Sequence, residues 1–343
     1  MAKHGRVSRQ DVARAAGVSL TTVTHALNPV PGARVSAATR LRVQRLAREM
    51  GYTPSFVGRA LVEGKSYTVG LLQPSYDSVF NGFYQTMMRG MARAMEPDDY
   101  HLLALFRSDD HRYLKVITQG RVDGMLILQS DFDVSHIARV LETGIPTVVV
   151  NRGVPVEGWP RAGCVHADHD GMMRQAVEEL AALGCKSLLL VDDFRACDAN
   201  ARMADGFSTA VAARAARGLV GSTLAPDGSR FALQMRNAFA AGQRWDGIIT
   251  DGVTYAEVVL EEAERAALRP ARDFHLISTD IVEGRTTRQG LEESAYTHQP
   301  DLVGAEAWRL LRALIGREVV SERTVRVPYR RYPVRHISEG DAA

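Results

Sequence analysis

The sequence predicts an α/β protein, a small all-helical head joined to a large body of two doubly wound lobes. Three observations carry that reading. From residue 67 onward, apolar runs of strand length, TVGLL, HLLALF, GMLIL, PTVVV, SLLLV, GIIT and HLIS, alternate with helical patterns such as 83–95 and 171–183. Continuous apolar strands separated by helices build parallel sheets covered on both faces. Residues 7–28, VSRQDVARAAGVSLTTVTHALN, read instead as two short helices joined by a glycine turn. Finally, a chain of 343 residues is too long for one compact unit and suits a small head plus two lobes.

The head can be justified element by element. Ser8 followed three residues later by Asp11 is a capping-box pattern that satisfies free backbone donors at a helix start. Val12, Ala15 and Ala16 are expected to form the buried stripe of this first helix. Gly17 supplies the positive φ of a tight turn, and Ser19 caps the next helix. On that second helix Val23, Ala26 and Leu27 fall at i, i+3 and i+4 and face inward, which turns Leu20, Thr21, Thr22, Thr24 and His25 wholly or partly outward. A polar-faced second helix of this kind has the shape that enters a DNA major groove. A third helix is predicted over 36–50, with Val43, Leu46, Ala47 and Met50 on one side, Arg40, Arg42, Arg45 and Arg48 around the rest, and Gly51 as its stop.

Any small helical bundle with a solvated surface would fit those patterns equally well, and charge separates the two readings. Residues 1–65 hold eleven Lys and Arg against three Asp and Glu, a charge of +8, whereas the rest holds 31 against 37, a charge of −6. A basic head on a mildly acidic body suits a head that neutralises phosphates.

After the third helix, Thr53-Pro54 reads as an N-cap with proline at the first helical position, opening a short helix over 55–61. A segment so short is not helical alone. The order of helix-turn-helix, third helix, GYTPSFVGRALVEGKS and then the strand TVGLLQP resembles the lactose-repressor (LacI/GalR) family of bacterial transcription regulators. Further motifs extend the resemblance almost to the end: RVDGMLIL, GIPTVVVNR, HADHDGM, EELAALGCKSLLLV, DGF and AYTHQPDLVG. Within the family, Thr24-His25 leans toward the purine-repressor branch in DNA reading.

That resemblance implies a boundary scheme of 1–53 for the DNA-binding headpiece, 54–66 for hinge helix and linker, and 67–343 for effector binding and dimerisation. The first lobe is expected at about 67–165 plus 297–326 and the second at about 166–296 plus 327–343, with a linking strand near Tyr296-Thr297. The body resembles the type I periplasmic sugar-binding proteins, whose ligands sit between two lobes at the carboxyl ends of strands. The implied DNA-contacting residues are Ser8, Ser19, Leu20, Thr21, Thr22, Thr24, His25, Asn28, Ser55, Arg59 and Leu61, the leucine wedging into the minor groove. Gly58 stands where the family has alanine, and a mid-helix glycine costs ~1 kcal/mol.

For the effector, the carry-over is patchier. Phe83 and Tyr84 match an aromatic pair suited to stacking on sugar rings or bases. Arg152 follows the PTVVV strand, Asp280 corresponds to an aspartate that accepts bonds from hydroxyls or a ring amine, and Gln299 lies in the THQP crossover. Asp251 is shifted from the family's usual Asn-Asp pair, and Arg202 stands beside Ala201 at the arginine position. A solvated loop side chain is the competing reading of each. The expected partners are therefore operator DNA, a sugar, nucleoside or purine-like effector, and a second copy of the chain in a homodimer or larger assembly.

Other chemistry is disfavoured. GRALVEGKS has five residues between its glycines, follows no strand and coincides with the hinge, so it is not expected to bind phosphate as a nucleotide loop. In HADHD, Asp168 is better read as a helix cap than as a metal ligand beside His166, His169 and Asp170. Met87, Met88, Met91 and Met95 at helical spacing read as core or subunit interface. Cys164, Cys185 and Cys197 lack paired spacing and read as thiols of a reducing cytoplasm. No serine elbow or HExxH pattern appears, so neither an enzyme nor a cofactor is expected. No stretch approaches a membrane span, and MAKHGRVS at the start carries no export signal, which argues for the cytoplasm. The alternative is a solute-binding protein of the same body fold with no DNA role.

Overall fold

A computed structural model of the chain describes residues 7–27, 35–53, 60, 63–76, 82–128, 134–192, 198–279 and 295–331. It divides into two compact units, Met1–Ser66 and Tyr67–Ala343.

The first unit holds α1 (Arg9–Ala16), α2 (Leu20–Leu27) and α3 (Ala37–Glu49). Each helix start is satisfied by a serine. Ser8 accepts from the Asp11 amide while Asp11 accepts from the Ser8 amide at 2.9 Å, a complete capping box. Ser19 Oγ accepts from Thr22 N at 3.1 Å, and Ser36 Oγ from Thr39 N at 3.2 Å. Gly17 takes φ +63° at the turn, where its amide returns to the carbonyls of Ala13 and Arg14. The core is made of small side chains, Val12, Ala13, Ala16, Val23, Ala26, Val43 and Ala47. Ala15, expected in the buried stripe, is exposed and Ala13 is buried instead. The inner face of this eight-residue helix is centred one position away from where alanine spacing alone put it.

The second unit contains two parallel sheets. The first lobe has six strands in the order β11-β5-β4-β3-β1-β2, from β1 (Thr68–Gln73), β2 (His101–Phe106), β3 (Gly124–Leu128), β4 (Thr147–Val150), β5 (Ala162–Ala167) and β11 (Thr324–Val327). One face packs on α4 (Gly82–Met95) and α11 (Pro300–Ile315), the other on α5 (Tyr113–Thr118) and α6 (Ser135–Leu141). Met87, Met91 and Met95 are fully buried on α4, with Met88 packed against the same core. The helices α4 and α11 approach closely through glycine: a Cβ on Gly90 would lie 1.9 Å from the Asp301 carbonyl oxygen, and one on Gly304 2.1 Å from that of Met87.

The second lobe has four strands in the order β7-β6-β8-β9: β6 (Ser187–Val191), β7 (Val220–Leu224), β8 (Gly247–Thr250) and β9 (His275–Ser278). Here α7 (His169–Ala182) and α8 (Asp198–Ala212) cover one face, and α9 (Phe231–Ala240) and α10 (Val253–Arg265) the other. The linking strand β10 (Tyr296–Thr297) pairs antiparallel with β12 (Arg330–Arg331). Both sheets are wound on both faces, as the alternating apolar runs predict. Three strands of the two parallel sheets fall outside the apolar runs, β5, β7 and β11, and have reasons to be hard to read. AGCVHA mixes small and polar residues although it is wholly buried, VGSTL is an exposed edge of the second sheet, and TVRV is an edge of the first.

Among the described residues no helix is long and apolar enough to cross a membrane. Cys164 and Cys185 are free, buried thiols, and burial pushes the Cys185 thiol up to about 11. Cys197 lies outside the described residues.

Candidate DNA-reading face and effector cleft

On α2, Leu20 is 43% exposed and Thr21 is exposed, while Thr22, Thr24 and His25 are half-buried. Their hydroxyls are not equally available. Thr24 Oγ1 donates to the Leu20 carbonyl at 3.0 Å and accepts from Arg9 Nη1 at 2.9 Å, so it braces α1 against α2. Thr22 Oγ1 lies 2.8 Å from Ser19 Oγ at the cap. Thr21 and His25 make no such bracing bond among the hydrogen bonds described; Thr21 is exposed, and His25 is half-buried with Nδ1 shielded from solvent. Ser8 and Ser19 are spent on caps, where their helix-start positions also suit backbone phosphates. Asn28, Ser55, Gly58, Arg59 and Leu61 lie outside the described residues.

In the body, ligands of open parallel sheets sit beyond the carboxyl ends of strands. The residues found there are polar and mostly buried: Gln73 ends β1, Asn151 follows β4, Asp192 follows β6, Asp251 follows β8 and Thr279 follows β9. On the second lobe they form one network. Asn200 Nδ2, on α8, donates to Asp192 Oδ1 and to Asp251 Oδ2, each at 2.6 Å, and Thr279 Oγ1 donates to Asp251 Oδ1 at 3.1 Å. Two carboxylates bridged by one amide make an acceptor-rich cluster, the chemistry that hydroxyl donors meet.

Across from it, Phe83 and Tyr84 open α4 with rings edge-on at 5.8 Å, and Phe83 meets the His298 ring at 6.4 Å. His298 packs at 4.6 Å on His169, the first residue of α7. Burial above all, then the charges of His298, His166 and Arg202, hold the His169 imidazole well below its usual range. Arg202 Nε donates to Asp198 Oδ2 at 2.9 Å, and its guanidinium lies so close over Gly153 that a Cβ there would fall 2.6 Å from Nη2. Arg152, half-buried, is the residue before that glycine.

Gln299 departs from its expected use. Its Nε2 donates to the Pro328 carbonyl at 2.7 Å, and its backbone sits at φ +50°, so the amide nitrogen ties two crossover segments together. Asp168 is a helix cap, Oδ1 accepting from Gly171 N at 3.2 Å. Asp280 lies outside the described residues. Among the described residues, no three of His, Cys, Asp and Glu converge to hold a metal ion.

Gln73, Asn151, Asp192, Asn200, Thr279, His169 and His298 were missed by sequence reasoning. For three of them a signal existed: each is the first polar residue at the end of an apolar run, as in GLLQ, VVVN and LLLVD, whereas Thr279 comes after Ser278, the polar residue that ends β9. The two histidines had none, because they are brought together only where chain segments cross between lobes.

A family model described as "Bacterial regulatory proteins, lacI family" matches residues 9–55, and one described as "Periplasmic binding proteins and sugar binding domain of LacI family" matches 66–238. The chain belongs to the LacI family. The two matched segments contain the α2 face and much of the cleft of this LacI-family protein. Curated relatives include the HTH-type transcriptional regulator RafR of Escherichia coli, 34% identical over 54% of this chain and 55% of that protein. Another is the HTH-type transcriptional repressor PurR of Aliivibrio salmonicida, 33% identical over 42% of this chain and 43% of the relative. The chain thus spans about half the length of these first relatives, whereas catabolite control protein A of Priestia megaterium is 24% identical over 94% of the chain and 97% of its own length. Among solved structures, the lac repressor dimer bound to operator and the anti-inducer ONPF superposes with TM-score 0.77 at 19% identity, covering 94% of this chain and 97% of that one. The CelR–cellobiose complex follows the same fold with TM-score 0.64 at 23% identity, covering 95% and 98%.

Proposed function

We propose that this LacI-family protein is a sequence-specific DNA-binding transcriptional repressor, acting in the cytoplasm as a homodimer on operator DNA. Its operator affinity is set by a small effector, a sugar, nucleoside or purine-like molecule, held between the lobes. In this reading residues 1–53 are the headpiece, 54–66 the hinge, and 67–343 the effector and dimerisation domain. The observation that carries it is the face of α2, where exposed Leu20 and Thr21 and half-buried His25 stand beyond a capped glycine turn on a head with charge +8. A solute-binding protein would have no use for that head. Relatives named as transcriptional regulators and a solved neighbour named as an operator complex support the same reading.

Regulation requires the effector to bind the DNA-competent and DNA-incompetent states with different affinity. Selection of bound fragments from random duplexes, followed by gel shifts, tests the proposal. It expects a near-palindromic site, with affinity falling steeply as salt rises, because arginines displace counterions from phosphates. Binding that is unchanged between low and high salt refutes the phosphate-neutralising role of the head.

A further inference from the structure

We propose that the cleft takes a polyhydroxylated carboxylate, its carboxylate received by His169 in a corner shared with His298, His166 and Arg202, and its hydroxyls donating to Asp192 and Asp251. This rests on the cleft being the effector site.

His169 is 3% exposed, and neither of its ring nitrogens has a hydrogen-bond partner among the described residues. Buried polar groups are normally paired, and leaving one unpaired costs about 1–3 kcal/mol. A group kept at that cost in a cleft is one that a ligand completes. Gln73 repeats the pattern: it is wholly buried, and neither Oε1 nor Nε2 has a partner among the described residues. It ends β1 on the face that carries Val69 and Leu71, the α4 and α11 side, where Phe83 opens α4 and His298 precedes α11.

The groups around His169 decide the sign of the ligand. His166 comes from β5, its Nδ1 2.9 Å from the Ala167 carbonyl oxygen, and His298 from the crossover before α11. Arg202 comes from α8. Facing them are three carboxylates. Asp198 is held by Arg202, and Asp168 is engaged by the Gly171 amide and by Arg326 Nη1 at 3.4 Å. Asp170, in the first turn of α7, also faces Arg202. Burial, and after it the charges of His298, His166 and Arg202, resist protonation of His169, so the corner favours an incoming anion, and a carboxylate there would let the imidazolium form. The opposite end is acidic, with both Asn200 donors spent on Asp192 and Asp251. One helix supplies both ends. Asn200 and Arg202 are two residues apart on α8, a spacing that sends side chains to different sides.

The test uses the full-length chain with sodium D-glucuronate, D-galacturonate and D-gluconate against glucose and galactose, read by thermal shift and calorimetry. At least one acid is expected to bind about tenfold or more tightly than its neutral parent, the advantage of a charge-assisted bond. That preference should grow from pH 8 to pH 6, since the bound anion raises the imidazole pKa from its lowered value. His169→Gln keeps a neutral donor and should bind while losing the pH dependence; if it does not fold, the wild-type pH series alone decides. Equal or tighter binding of the neutral hexoses, a preference flat with pH, or no response to any acid at millimolar concentration overturns the inference. A neutral effector that still releases operator DNA would sink it while leaving the regulatory reading intact. Absence of DNA binding alongside a selective acid response would do the reverse.

Discussion

In the head, each serine that caps a helix finds its partner three residues along the chain: Ser8 with Asp11, Ser19 with Thr22 and Ser36 with Thr39. In the cleft of the second lobe the corresponding bonds span 51 residues from Asn200 to Asp251 and 28 from Thr279 to Asp251. Across the lobe boundary, His169 and His298 face each other from α7 and the α11 crossover. The head therefore satisfies its helix starts locally and leaves Leu20 and Thr21 exposed on α2. The body gathers polar groups at distant strand ends, and keeps Gln73 and His169 buried without partners among the described residues. A surface built to meet DNA needs no internal vacancy, whereas a cleft that closes on a small molecule gains selectivity from groups only that molecule can satisfy.

The largest effect should separate the two units. Gly90→Ala places a methyl into the Asp301 backbone, which cannot give as a flexible side chain can, and should destabilise the body by about 3 kcal/mol. Denaturant unfolding followed on the isolated transitions of head and body would show the body shifting while the head holds. A body as stable as wild type would mean that α4 and α11 can slide apart freely.

Next come the reading residues. Thr21→Ala and His25→Ala should each change the preferred base pair, by ~1–3 kcal/mol per lost contact, in titrations against operators varied one position at a time. Uniform loss on every sequence would instead place these residues on the phosphate backbone and remove them from base readout.

Gln73→Leu sharpens the other side of the comparison. Removing an amide that has no described partner should raise the melting temperature of the ligand-free body, by the equivalent of about 1–2 kcal/mol, and weaken effector binding. If stability falls instead, the amide has a structural partner and the cleft is not holding it for a ligand.

Smallest is the cap. Ser8→Ala should cost the head about 1 kcal/mol. The Ser8 hydroxyl, then the Ser8 amide, hold the Asp11 carboxyl below its usual value of 3.8. The stabilisation is thus complete above that value and fades as pH falls through the lower, folded one. Melting of the head between pH 5 and pH 2 should fall more steeply in wild type than in the variant, and parallel curves would detach Asp11 from the cap.

Much of the fold was legible because its causes are local or periodic. Seven apolar runs became strands, the caps and the Gly17 turn fell where their chemistry required, and the methionine stripe proved to be core. The cleft was legible only in part. Phe83, Arg152 and Asp251 were named from the family resemblance, and the structure places them at a helix start or just after strands. Gln299 was named too, yet its amide nitrogen is engaged with Pro328, a carbonyl 29 residues away that no local pattern reveals.

The amino-acid sequence by itself determined the helix-turn-helix, the charge contrast between head and body, and the parallel doubly wound class, since capping, net charge and hydrophobic period are properties of neighbouring residues. Only the tertiary structure decided which polar groups share the cleft. Asp192, Asn200 and Asp251 become one network, and His166, His169 and His298 one corner, through the order of strands and the crossings between lobes. Those depend on packing across long chain separations, where burial and charge act between residues that no sequence window contains together.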